Sequence, residues 1–192
     1  MANQTDLKLF NKYSFDEVIV KDESLKPIIN VQKKCIIPHC ATKVGLNYFG
    51  KIHTSIIERF ITHLMSHARN AGKKRMAIKL FQKACEIIEA KGLNPIQVLV
   101  DAVVFAGPRE ISARVGRGGN MKRASVDVSP YKRVAKGLQF LADSIRDSAF
   151  KNKKHTMPEV MAYELMACAT ASSSSMAYKK KEEVERIAKS NR

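Results

Sequence analysis

Apolar residues recur at three- and four-residue spacing along most of this chain, which predicts a mainly helical protein. Ile56, Ile57, Phe60, Ile61, Leu64, Met65 and Ala68 form one stripe, with Arg59, His63 and His67 on the opposite flank. Asn70-Ala-Gly72 interrupts it, and Met76, Ala77, Leu80, Phe81, Ala84, Ile87 and Ile88 line a second helix that Gly92 ends. Asn94-Pro95 opens a third, apolar nearly all round and so expected at the centre, which Gly107-Pro108 stops. Its β-branched content argues for a strand; its length and caps decide for a helix. Ser129-Pro130 supplies a cap for a fourth helix with Val134, Leu138, Leu141 and Ile145 inward, and Thr156 with Glu159 forms a capping box for a fifth. The last helix, about 176–189, is mostly charged. Its Lys179/Glu183, Lys181/Glu185 and Glu182/Arg186 spacings read as a solvated surface, joined to the fifth helix through Ser172 to Ser175.

Between Pro108 and Ser129 the period switches to two. Ile111, Ala113 and Val115 alternate with Glu110, Ser112 and Arg114, and Ala124, Val126 and Val128 alternate with Arg123, Ser125 and Asp127. A β-hairpin over about 109–128 follows. Pairing Val115 with Ala124, Ala113 with Val126 and Ile111 with Val128 puts every apolar side chain on one face, which should seat the hairpin on the body. The tip, Gly116, Arg117, Gly118, Gly119, Asn120 and Met121, is rich in residues that tolerate positive φ, and Arg114, Lys122 and Arg123 flank it.

Residues 1–50 have a different texture, with short β-like runs at 15–20 and 28–31 broken by Pro27 and Pro38. They read as an extension with little regular structure, laid on a single helical domain at 51–192. Charge divides the same way: seven Lys and five acids in 1–50 leave +2, whereas 27 basic and 13 acidic residues in 51–192 leave +14. A net +16 over 192 residues repels itself in the folded state unless a polyanion neutralises it, and a phosphate backbone is the natural partner. Eight cations, Arg109, Arg114, Arg117, Lys122, Arg123, Lys132, Arg133 and Lys136, lie between 109 and 136 against only Glu110 and Asp127. Lys73, Lys74 and Arg75 open the second helix, as Lys132 and Arg133 open the fourth. Cations at a positive dipole end each lose on the order of 0.3 to 1 kcal/mol, so two such violations point to phosphate binding at helix starts.

The remaining chemistry is thin. The longest apolar run, 96–106, is far short of the roughly 20 residues that span a bilayer and contains Asp101, and the first ten residues lack a secretory layout. The expectation is a cytosolic protein with no membrane partner and reduced cysteines at 35, 40, 85 and 168. His63 and His67 are one turn apart without a third ligand, and Cys35, His39 and Cys40 lack a second pair at zinc spacing. The glycines of the tip run on into a strand, so they are no dinucleotide fingerprint, and no catalytic constellation is readable. No metal, no cofactor and no enzyme activity are expected. A basic β-ribbon on a helical body also suits a free DNA-binding architectural protein, although the tip lacks an apolar wedge apart from Met121.

Ala71-Gly-Lys-Lys-Arg75, Asn94-Pro-Ile-Gln-Val-Leu-Val-Asp-Ala102, Gly107-Pro-Arg-Glu110, Val115-Gly-Arg-Gly-Gly119, Val126-Asp-Val-Ser-Pro130 and Lys189-Ser-Asn-Arg192 make the chain closely resemble the ribosomal protein seven family of the small subunit, called protein five in older eukaryotic numbering. The resemblance runs from about residue 35 to the end. It implies a bundle of about six helices with a protruding two-stranded antiparallel hairpin. It also implies a structural protein that binds the 3′ major domain of small-subunit rRNA, organises the head beside neighbouring head proteins, and lies near the mRNA exit and the exit-site tRNA. The implied rRNA-binding positions are Lys73, Lys74, Arg75, Arg109, Arg114, Lys132, Arg133 and Lys136. The implied mRNA- and tRNA-facing tip is Gly116, Arg117, Gly118, Gly119, Asn120, Met121, Lys122 and Arg123. The long first segment and the Ser-Asn-Arg ending resemble the eukaryotic or archaeal branch, with nucleolar assembly implied if eukaryotic. The tip and residues 3–34 depart from the family pattern.

Overall fold

The computed structural model describes residues 7–31, 34–39, 48–66, 68–116, 122–152 and 154–192. Among them are six α-helices, α1 (Ile56–Leu64), α2 (Lys74–Glu89), α3 (Pro95–Ala106), α4 (Pro130–Lys151), α5 (Met157–Ala169) and α6 (Met176–Ser190), and one two-stranded sheet of β1 (Glu110–Val115) and β2 (Lys122–Asp127). The helical bundle with a hairpin and an N-terminal extension is therefore the architecture. None of the helices is long and apolar enough to cross a membrane.

α3 is the central helix: Ile96, Leu99, Val100, Ala102, Val103 and Ala106 are fully buried. Asn94 Oδ1 accepts from the Ile96 N–H at 3.0 Å, and Pro95 occupies the first turn, where its missing donor costs nothing. α4 crosses the end of α3 at Gly137, where an added Cβ would lie 3.0 Å from the Val103 carbonyl. Gly92, at φ +76, ends α2 as expected, and the Thr156 N–H donates to Glu159 Oε2 at 3.0 Å in the capping box of α5.

Several expectations are corrected. α1 stops at Leu64, short of Ala68, because the Ser66 hydroxyl and N–H both turn back to the His63 carbonyl and end the ladder. The Ser129 side chain makes no cap hydrogen bond, so Pro130 alone marks the start of α4. The β-like runs of the extension are not strands. Gln97 of α3 serves the backbone of Ile19 instead, accepting from its N–H at 2.9 Å and donating to its carbonyl at 3.1 Å. Lys21 pairs with Asp101 at 3.5 Å, which explains an acid in the most apolar helix. The extension also supplies Leu9, Phe15, Leu25 and Ile29 to the core.

The hairpin keeps its parity but not its register. Ile111 faces Val126, Ala113 faces Ala124 and Val115 faces Lys122, two residues from the expected pairing. A shift of two preserves the faces, so hydrophobic alternation cannot distinguish the two registers, and the shorter loop adds ladder pairs. The outer apolar face does not seat the hairpin, since Val115 and Val126 are 54% and 42% exposed, whereas Ile111 and Val128 nearer the root are half-buried. The polar face and the root seat it. Glu185 of α6 accepts from the Arg109 N–H at 2.9 Å, Asn191 Nδ2 donates to Ser112 Oγ at 3.1 Å, and Arg192 pairs with Glu110. α6 is thus a brace as well as the mainly solvated helix expected, with only Ala177 and Ala188 buried. Of its three expected internal pairs, Lys181 with Glu185 is observed at 3.5 Å. Its start is fixed by the buried Glu164 carboxylate, which accepts from Ser175 Oγ at 2.8 Å and the Ala177 N–H at 2.9 Å.

Candidate nucleic-acid interface

The two basic helix starts are tied together by consecutive residues of α1. Glu58 Oε1 lies 2.6 Å from Lys74 Nζ at the start of α2, and the Arg59 guanidinium stands 5.9 Å from the Tyr131 ring centroid at the start of α4. Arg59 is therefore not on a solvent flank. It is 8% exposed and donates from Nη1 to the Ile28 carbonyl at 3.2 Å, binding the extension as well.

Lys73 and Arg75 are exposed and make no ion pair among the described residues, so their charges are free for an anion at a helix start that lacks a side-chain cap. Lys74, expected beside them as a phosphate ligand, is half-buried and ion-paired with Glu58, whose carboxylate also relieves the dipole conflict at that start.

Arg133 is the second departure. It is 8% exposed; Nη1 lies 2.7 Å from Asp22 Oδ2, Nε donates to the Gly107 carbonyl at 3.4 Å and Nη2 to the Val104 carbonyl at 3.3 Å. An Arg with three internal acceptors holds the end of α3, the start of α4 and the extension together, and has little left for a phosphate. Lys132 beside it is exposed, and Lys136 is half-buried with Nζ donating to Gln139 Oε1 at 3.1 Å.

On the hairpin, Arg109, Arg114, Lys122 and Arg123 are exposed. Arg114 and Arg123 are direct cross-strand partners, a like-charge juxtaposition that costs stability and that an anion between them relieves. The acids Glu110 and Asp127 sit at the root, where Arg192 pairs with Glu110, so the outer end of the polar face is purely cationic. Gly116 leaves β1 at φ +127. Arg117, Gly118, Gly119, Asn120 and Met121 lie outside the described residues, as do His67 and Cys40.

The remaining candidates carry no charge to the surface. Burial first, then the fields of Arg59 and Lys51, lower the His63 pKa, so the ring is neutral at physiological pH. Cys85 and Cys168 are buried free thiols, and burial pushes Cys168 up to about 12. Among the described residues no group of three His, Cys, Asp or Glu could hold a metal.

Sequence reasoning missed Glu58 and Asp22, the acids that withdraw Lys74 and Arg133 from the surface, because both contacts span long sequence separations. It also missed an aromatic series, Tyr48, Phe49 and Tyr131, beside the α4 start. The adjacent Tyr48-Phe49 pair, in a chain only 7% aromatic, was the available signal.

A family model described as ribosomal protein S7p/S5e matches residues 27–192. The small ribosomal subunit protein uS7 of Entamoeba histolytica is 44% identical over 190 residues, covering 96% of this chain and 91% of that protein. A eukaryotic relative agrees with the branch read from the first segment and the Ser-Asn-Arg ending. With a central apolar helix, basic helix starts and a cationic hairpin braced by its last helix, the chain belongs to the ribosomal protein S7p/S5e family, whose members are structural rather than catalytic.

Proposed function

We propose that this chain is a structural constituent of the small ribosomal subunit that binds the 3′ major domain of small-subunit rRNA, organises the head with neighbouring head proteins, and contributes to the mRNA exit and exit-tRNA site. The observation that carries this reading is the linkage of three cationic elements through internal contacts. Glu58 and Arg59 tie the starts of α2 and α4 to one turn of α1, and Arg133 ties α4 to the end of α3, from which the chain enters the hairpin. The exposed cations Lys73, Arg75, Lys132, Arg109 and Arg114, with half-buried Lys136, form the rRNA-facing set, while Lys74 and Arg133 keep that surface in shape. The tip, Lys122 and Arg123 face mRNA and exit-site tRNA.

The deciding experiment compares binding to the rRNA domain and to duplex DNA at physiological salt, together with co-sedimentation with small subunits. Preference for the rRNA is expected; equal affinity for both would favour the architectural DNA-binding reading. The cations divide further in a salt titration. Lys73→Ala with Arg75→Ala should reduce the slope of log affinity against log salt by roughly 1.5, as loss of two phosphate contacts requires. Lys74→Ala should leave the slope alone and cost about 1 kcal/mol of stability by removing an ion pair from the partly buried Glu58. A slope that falls with Lys74→Ala would return that lysine to the RNA surface.

Replacing residues 116–121 by an Asn-Gly turn should leave rRNA affinity within about twofold, because the six ladder pairs and the α6 brace remain. Reading-frame maintenance, measured with a frameshift reporter, should deteriorate. Failure of small subunits to assemble would instead make the tip an rRNA anchor.

A further inference from the structure

The aromatic series beside the α4 start is a ladder running from the interior to solvent. Tyr48 and Phe49 have ring centroids 4.7 Å apart at 84°, Phe49 and Tyr131 lie 5.6 Å apart at 79°, and the Arg59 guanidinium is 5.9 Å from Tyr131. Its inner end is fixed by the hydrogen bond from Arg59 to the Ile28 carbonyl. Its middle is fixed by a 3-10 turn over Gly50–His53, in which the Ile52 N–H donates to the Phe49 carbonyl at 2.9 Å. Its outer end is nearly bare: Phe49 is 52% exposed and Tyr48 is 92% exposed.

A fixed ring series that ends in water offers a flat π-face with little left to lose on binding, since the supporting rings are already ordered. The field around it is positive. Lys51 and Lys132 adjoin it and are exposed, and at His63, whose pKa is lowered chiefly by burial, the fields of Arg59, Lys51 and Arg146 add to the lowering while Asp143 opposes it. The neighbouring acids are engaged, Glu58 with Lys74 and Asp143 with Arg146. An aromatic platform in a cationic setting suits a flat group carried on a polyanion better than an apolar protein side chain. We propose that Tyr48, backed by Phe49, Tyr131 and Arg59, is a stacking site for an unpaired nucleobase of the bound rRNA. This inference rests on the rRNA-binding reading above.

The chain has no Trp, so Tyr48→Trp introduces a single indole reporter at the ladder's outer end. On titration with the 3′ major domain of the rRNA, Tyr48→Trp should bind as the wild type does and its emission should be strongly quenched by base stacking. Tyr48→Ala should bind roughly tenfold more weakly with an unchanged salt slope, because ring-on-base stacking releases no counterion. It should melt like the wild type, since the side chain is almost entirely in water. Wild-type affinity for Tyr48→Ala, or unquenched indole emission at saturating RNA, overturns the stacking site while leaving rRNA binding standing. A blue shift without quenching, seen only in assembled subunits, would mean that a protein covers the ladder and would likewise overturn it. If the wild type itself fails to prefer the rRNA over duplex DNA, both the broader function and this site fall.

Discussion

Phe81→Ala is expected to lower the free energy of unfolding by about 3 to 5 kcal/mol, the range for emptying a fully buried aromatic site. Phe81 is 1% exposed on α2, and its ring meets Phe60 of α1 at 5.8 Å and Phe10 of the extension at 6.4 Å. Three segments converge there, so the cavity cannot collapse by moving one of them. Denaturant titration should show a lower midpoint at an unchanged slope. Limited proteolysis should also cut within the extension earlier than in the wild type, because Phe10 loses its partner. A loss below about 1 kcal/mol would mean that the site repacks around the missing ring.

Arg133→Met should cost about 3 kcal/mol, near the lower end of the range for breaking a buried ion pair because Asp22 can turn toward water. The thioether keeps part of the volume but satisfies neither the Asp22 carboxylate nor the carbonyls of Val104 and Gly107. The effect should weaken in acid. Ser24 first, and then Arg133, hold the Asp22 carboxyl below its ordinary pKa. A lowered folded-state pKa contributes stability that is complete above the unfolded value and is lost as pH falls through the folded one. The gap between wild type and Arg133→Met should therefore narrow below the usual carboxylate range. Affinity for rRNA, measured where both proteins are folded, should keep its salt slope. A slope reduced by about one would place Arg133 on phosphate after all.

The candidate interface was legible as a set of segments rather than as a set of residues. The helix starts and the hairpin stand out because cations break local preferences there, and such violations are visible in any sequence. Which cations remain available is a different matter. Lys74 and Lys73 are neighbours of the same type, yet only Lys74 lies within reach of Glu58, sixteen positions earlier. Arg133 and Lys132 divide in the same way, because α4 turns one of them toward Asp22 and the end of α3.

The sequence by itself determined the six helices, the Asn94 cap, the Thr156/Glu159 capping box and the hairpin's two faces, since hydrophobic period and capping chemistry act over a few residues. α3 is the clearest case: Asn94, Pro95 and a length beyond an ordinary strand outweighed its β-branched residues. Only the tertiary structure decided what those elements meet. It fixed the hairpin register, which alternation leaves ambiguous by two, and it turned the charged last helix into a brace through Glu185, Asn191 and Arg192. It made a segment with no strand among its described residues part of the core, with Gln97 standing in for a sheet partner. These outcomes depend on contacts between residues far apart in the chain, whose partners local period and propensity cannot choose.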